Sequence, residues 1–383
     1  MNGKLILNAF AIFLLMLGMV IIPAGAAVIT VDSNGGENYS SIQEAVNNAQ
    51  NGDTILVNPG VYQENIEVNK EVSIISNSTS EDQVNRIYVL GAVPEDDVFY
   101  VNASNVTISG FYIAGGPSAE DWYEVGIYLE GAENCSVSNN ALVMNDVGIA
   151  LNGSQRNYIY NNLVGIGYSG IVLVDSEENE LSDNWLASNG EGILLNNSVN
   201  NTIINNTASA NGIGILLGTS ERNILAYNLI SKNDYGIIGE MAEYNTIFNN
   251  SVYLNEFGVY LNESSNNTIY QNDFSNFLNV IDEGTNIWNS SSAGNFWSDY
   301  TGQDADGNGI GDTPYVINET TGSIDYMPLV NETSSDNNSG NASDNNGDET
   351  FMANKKPQDN IKPQYEIYRD TTRYSWEYTY KYP

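Results

Sequence analysis

The chain has 383 residues, 41% of them apolar, with 12 basic side chains against 48 acidic ones and no histidine. That apolar content suffices for a core, while a formal charge of −36 repels nucleic acid, anionic membrane surfaces and polyuronates alike. Cations and neutral glycans are the ligands it suits. The charge is uneven: residues 27–350 hold five bases against 44 acids, or −39, whereas the last 33 positions hold six bases and four acids.

Residues 1–27 have the layout of an export leader. Lys4 supplies the positive end, an apolar run extends from Leu5 to Ile22, and Ala24-Gly25-Ala26 offers an A-x-A cleavage site. The run also nears the length of a membrane span. The segment therefore reads as a signal peptide or an N-terminal anchor, and only if uncleaved does it touch a membrane. Either way the protein is expected to be secreted or held at the cell surface. Cys135 is the sole cysteine, so no intramolecular disulfide forms. Sequons such as those at Asn38, Asn77, Asn102, Asn105, Asn262, Asn318 and Asn331 mark it as a candidate glycoprotein.

Residues 28–124 read as an N-terminal cap and irregular first coils. The stretch Ser41 to Ala49 predicts a short amphipathic helix, with Ser40 or Ser41 as N-cap and Gly52 as its stop. A strand over Asp53–Val57, a Pro59-Gly60 turn and a second strand from Glu64 follow. Asn105 to Ile108 reads as an early coil, and Gly115 to Glu124 as a protruding loop.

Residues 125–290 are a repeat. Glycines recur every 22 residues at 126, 148, 170, 192, 214, 236 and 258, each followed by Ile or Val. Asparagine stands fourteen residues after every one of them, from Asn140 to Asn272. Nine after them it stands in six, from Asn157 to Asn267, with Cys135 in the first. Apolar residues alternate over three to five positions, which is strand behaviour. Units this short cannot bury a face alone and must stack. The spacing predicts an all-β parallel β-helix solenoid: 22-residue coils of about three strands, roughly 4.8 Å apart. The asparagines are expected to occupy left-handed corners and to bond along the axis. Register runs to Val280-Ile281 and then stops.

The opening SIQEAVNNAQNGDTILVNPGVYQENI, the Asn-rich coils and the closing GNFWSDYTGQDADGNGIGDTPYVI together resemble NosD-like parallel β-helix proteins of the carbohydrate-binding and sugar-hydrolase type, in the pectin-lyase-like superfamily. The resemblance covers roughly residues 28–330. It implies a right-handed helix and a place among surface proteins. It also raises an accessory role beside an exporter or in metal maturation, although the imidazole ligands of a copper site are missing.

Four sets of residues are candidates for chemistry. In residues 291–330, the C-terminal cap, Asp304, Asp306, Asn308, the Ile310 carbonyl and Asp312 follow the calcium-loop spacing through position nine. Tyr315 stands where the closing Glu belongs, so a structural Ca2+ would need a substitute such as Asp325; the alternative is a solvated Asp/Gly turn. On the coils, Glu221 and Glu243 are one period apart, as are Asp234 and Glu256. These pairs are the candidates for a glycoside hydrolase, or else a solvated acidic face. A lyase would need cations to hold uronate, and the array has only Arg156, Arg222 and Lys232. Tyr158, Tyr160, Phe248 and Tyr270 are candidates to stack on sugar rings, or on one another across strands.

Residues 331–350 form a low-complexity linker and 351–383 a Tyr-rich tail. The tail is read as a strand that adds to a sheet edge and mediates self-association, or as disordered. The reading favoured is an exported, calcium-stabilised surface glycoprotein that binds neutral glycans or other surface proteins, or scaffolds, without catalysis. A carbohydrate-active enzyme is the alternative from another class.

Overall fold

The computed structural model describes residues 26–78, 87–115 and 124–330, together with two short strands at Ile367–Arg369 and Trp376–Tyr378. The leader, most of the predicted loop after Gly115 and the linker lie outside the described residues.

Three parallel sheets wind around one apolar interior. A twelve-stranded sheet runs from Val28–Val31 to Thr285–Ile287, an eleven-stranded one from Gly60–Gln63 to Phe296–Trp297, and a ten-stranded one from Ile66–Val68 to Leu278–Asp282. Each regular coil gives one strand to each sheet, and partners are 22 residues apart. Ile127, Ile149, Ile171, Ile193, Ile215, Ile237 and Val259 are consecutive partners in register, all but fully buried. The period glycines allow this stacking. A Cβ on any of Gly126 to Gly236 would lie 2.5 to 2.8 Å from the carbonyl oxygen of the glycine one coil on.

The asparagine columns work differently from the sequence expectation. The left-handed corner residues are those just before the columns, and they are of any type: Arg156, Glu178, Asn200, Arg222 and Tyr244 have φ of 55–58°. The column asparagine that follows is buried. Asn201 shows its role. Its Oδ1 accepts from the backbone N–H (2.9 Å) and the Nδ2 (3.0 Å) of Asn179. Its own Nδ2 donates to the Ser176 carbonyl (3.0 Å) and to Asn223 Oδ1 (3.1 Å). The amide thus satisfies backbone groups that the bend removes from the sheet and links three coils.

Two further columns went unread in the sequence. Asn189, Asn211, Asn233 and Asn255 form a third amide ladder. Ser154, Ser176, Ser198 and Ser220 offer hydroxyl oxygens to the N–H groups of the preceding coil.

Both ends are capped. The helix Ile42–Asn48 has Ser41 as N-cap and ends at Ala49 rather than Gly52. Glu64 is not in a strand: the bend at Pro59 leads straight into Gly60–Gln63, and the Glu64 carboxylate accepts from the Ile42 and Gln43 amides at the helix start. Lys70 donates to the Val46, Asn47 and Ala49 carbonyls at its end. The two charges complement the helix dipole. At the far end Trp288, Trp297 and Phe274 fill the interior, and buried Asp282 and Asp325 accept from the two indole N–H groups. The Tyr-rich tail contributes a pair, not a lone strand: Ile367–Arg369 lies antiparallel to Trp376–Tyr378.

Losing one ladder amide strands backbone donors and acceptors in a dry interior. Asn201→Ala is expected to cost about 2–4 kcal/mol, whereas Asn196→Ala, on the outer surface, should change stability by less than about 0.5 kcal/mol. Urea midpoints of the two variants check this.

Candidate functional site

The coil carboxylates stand on the outer surface. Glu133, Gln155, Glu177, Val199, Glu221, Glu243 and Ser265 bridge in sequence, so Glu221 and Glu243 do lie on adjacent coils. Glu221 pairs with Arg222 in a solvated contact, and Arg222 also lies over the Tyr244 ring at 5.4 Å. Asp234 and Glu256 are neighbours at another corner, both exposed. Arg156 is held between Glu133 (2.9 Å) and Glu178 (3.1 Å). Within each pair the two carboxyls are alike in burial, and the one difference in bonding, the solvated Arg222 contact of Glu221, does not make the buried acid beside an ionised base that the chemistry requires.

The Asp304–Asp312 loop gathers its oxygen donors, but turns them on itself. Asp304 accepts from the Gly307, Asn308 and Gly309 amides at 2.8, 3.0 and 2.8 Å, and these bonds, that from Gly309 foremost, hold its pKa below the usual carboxylate value. Asp306 accepts from Asn308 Nδ2, Asn308 Oδ1 from the Ile310 amide, and Asp312 from Ala305. Asp325 is not available to close the loop: its buried carboxylate accepts from Asn295, Trp297 and Met327 inside the cap. Among the described residues no three His, Cys, Asp or Glu side chains are arranged around one metal position.

The aromatic candidates fall into two places. Phe248 and Tyr270 stack on each other, with ring centroids 5.3 Å apart and planes 5° off parallel. Tyr158 and Tyr160 lie four coils away in the same sheet, exposed to solvent. Beside them is a feature the sequence reading missed. A groove of 570 Å³ follows the corner between the twelve- and eleven-stranded sheets, lined by Ser76, Ser109, Asn139 and Asn161, with Tyr112 and Leu163 across the bend.

Its lining is uncharged in every described residue. The polar groups form a chain, Asn161 donating to Asn139 (2.6 Å) and Asn139 to Ser109 (3.2 Å). Gly110, at φ +91°, keeps the floor open, since a Cβ there would lie 2.6 Å from that of Ser76. Tyr88 and Tyr112 rings meet at 5.0 Å on one flank. Trp185, 58% exposed, continues the same flank at its far end as the register partner of Leu163.

Among the described residues one buried carboxyl has no hydrogen-bond partner. Glu124 is 0% exposed and neither carboxylate oxygen is hydrogen-bonded. Burial, then the nearby Asp146 and Asp97 charges, push its pKa up to about 8. A Cβ on Gly115 would overlap the Glu124 carboxylate, which is sealed in by that backbone.

The molecule is thus a parallel β-helix with a corner groove whose described lining is uncharged and which has an aromatic flank. The chain belongs to the NosD family, described as "Periplasmic copper-binding protein (NosD)", whose model matches residues 46–165 and 102–302. A cell surface glycoprotein of Methanothermus fervidus is 35% identical over 136 residues, which is 34% of this chain and 20% of that protein. The chain therefore spans about a fifth of that relative's length. Among solved structures, the complex of XylC with xylose aligns over 67% of this chain and 70% of its own, with a TM-score of 0.52 and 11% identity. Tailspike protein 2 of an Escherichia coli O157:H7 bacteriophage aligns over 70% and 42%, with a TM-score of 0.50 and 12% identity. At such identity the likeness is one of fold.

The residues present do not fit copper. There is no histidine, and Cys135 is buried, its thiol pushed up to about 11 by desolvation. Soft or imidazole ligands in a shared position are what a copper site needs.

The sign of the Glu124 effect follows from linkage. Its folded pKa of about 8 lies above the ordinary 4.5, so the stability it lends is whole below that ordinary value. It is then lost as pH rises towards about 8, because the unfolded chain releases the proton first. Glu124→Gln should remove this fall. Urea midpoints of wild type and variant between pH 5 and pH 9 are expected to converge at low pH and separate at high pH, with the variant higher.

Proposed function

We propose that this protein is an exported, surface-displayed β-helix that binds neutral oligosaccharides along the corner groove, without catalysis. The observation that carries the reading is the groove itself: hydroxyls and amides in a row, beside aromatic rings and with no charge among its described lining residues, in an otherwise acidic body. Sugar hydroxyls exchange hydrogen bonds with Ser and Asn at no desolvation cost of a charge, and the flat faces of the rings cover tyrosine and tryptophan. Placement at the cell surface rests on the leader and on the glycoprotein relative. The exposed sequons at Asn38, Asn77, Asn102 and Asn105 are the sites we infer to be glycosylated.

A neutral-glycan panel, read by calorimetry, tests the groove. Tyr112→Ala and Trp185→Ala are each expected to weaken binding by about two- to tenfold, with uronate oligomers not bound. Absence of any neutral binder contradicts the reading. Release of reducing ends or unsaturated products would instead place the protein among the enzymes.

We infer in addition that the Asp304–Asp312 loop takes calcium as a structural cation. Donor spacing and the ionised Asp304 support this, and with position twelve unfilled the affinity belongs to the weak extracellular class of about 10⁻⁴–10⁻³ M. Calcium should give a binding isotherm with wild type that is lost in D304A/D306A; equal heats with both proteins would remove the cation.

A further inference from the structure

Over its later coils the ten-stranded sheet is apolar on both faces. Ile171, Leu173 and their counterparts point into the solenoid. The alternate positions point outward, and there Val172, Leu194, Leu216, Ile238 and Tyr260 are consecutive register partners. Ile213, Tyr235 and Phe257 form a second outward row beside them, with Tyr235 and Phe257 stacked at 4.7 Å. The two rows make one apolar cluster separate from the interior. The other sheets are unlike this: outward positions on the twelve-stranded sheet include Tyr158, Glu180 and Thr202.

Near-continuous apolar runs such as Ile213–Leu217 are those of parallel strands covered on both sides. The outward residues have that burial: Ile238 is 1% exposed, Leu216 3%, Leu194 5% and Tyr260 7%. A patch of this size left in water is a site of association. Its rim is acidic, with Glu191 on one side and Glu240 on the other. Burial raises the pKa of both carboxyls.

We propose that this outer face is the docking surface for the chain's own Tyr-rich C-terminal segment, residues 365–383. Composition, charge and reach select that occupant. The segment YEIYRDTTRYSWEYTYKYP holds six Tyr and one Trp, and its strands Ile367–Arg369 and Trp376–Tyr378 pair as a two-stranded ribbon. Such a ribbon is marginal in water until one face is covered. Arg369, Arg373 and Lys381 belong to the one basic region of the chain and meet a rim of glutamates. The body ends at Val330, bonded to Gly309 in the C-terminal cap, and residues 331–366 separate it from the ribbon. A segment of that length and Gly/Ser/Asn composition has a root-mean-square span of about 30–36 Å. The apolar stripe from Val172 to Ile281 crosses five coil spacings, or about 24 Å.

The test uses the full chain carrying photoreactive benzoylphenylalanine in place of Tyr378, crosslinked and mapped by mass spectrometry. Crosslinks within one molecule to peptides spanning residues 191–262 are the expected result. Crosslinks between copies, crosslinks confined to other faces, or none would overturn the proposal. As a second measurement, removing residues 351–383 should raise binding of an apolar dye such as ANS at least about threefold, while removing residues 1–27 should leave it unchanged. A rise on removal of the leader alone would identify a different occupant and overturn the proposal equally.

Discussion

Everything in this structure depends on a neutral hydrogen-bonding group that can sit in a dry interior and face two ways. A coil of 22 residues must bend several times, and every bend takes backbone N–H and C=O groups out of the sheets. Each column asparagine returns them: its carbonyl oxygen takes the N–H of the coil before, and its NH2 takes a backbone carbonyl and the next amide. Aspartate has no donor and would bring a charge into the interior, and glutamine sets its amide one methylene further out. The serine column does the same with one hydroxyl. Because the amide comes after the bend rather than at it, the left-handed residue points outward and is left to function. Arginine, glutamate, tyrosine and methionine all occupy such corners.

That separation of duties accounts for the charge pattern. Along the regular coils the interior is held by neutral groups, so the outer surface is free to be acidic, and the acids repeat along columns because the coils repeat. Glu221 and Glu243 are neighbours for this reason. Against that background the corner groove stands out as a strip of Ser and Asn with Tyr112, from the last irregular coils and the first two of the regular array. Its described lining joins those hydroxyls and amides to Tyr112, Phe111 and the aliphatic Ile75, Ile87 and Leu163. The outer face of the ten-stranded sheet departs in the opposite direction, towards apolar residues, and so is suited to be covered rather than wet.

Much of the fold was legible in the sequence because a solenoid writes its contacts as a period. Spacing the glycines by 22 placed Ile171, Ile193 and Ile215 on one another. The period said less about local chemistry. It identified the amide ladders but assigned the left-handed backbone to the wrong residue, since a column and the corner before it repeat together. It missed the third asparagine column, which is interrupted by Gly167 and continues at Asn276, 21 rather than 22 residues after Asn255. Glu64 read as strand because its helix-capping partners, Ile42 and Gln43, are more than twenty residues away. The groove was illegible for a similar reason. Ser76, Ser109 and Asn139 meet across coils longer than the repeat, so no fixed interval pointed to them. For the calcium loop, spacing placed the donors in one turn, but could not show that Asp325 was already committed to Trp297.

The stacked amides are tested most directly by hydrogen exchange at the backbone N–H groups of Asn157, Asn179, Asn201 and Asn223. None of these bonds a backbone carbonyl; each donates to the side-chain oxygen of the asparagine one coil on, at 2.8 to 2.9 Å. The account predicts that they exchange as slowly as the strand amides of Ile171, Ile193 and Ile215, in one cooperative group. Exchange at the rate of an exposed loop, with the neighbouring strands still protected, would show that the asparagines line the corners without holding the coils together.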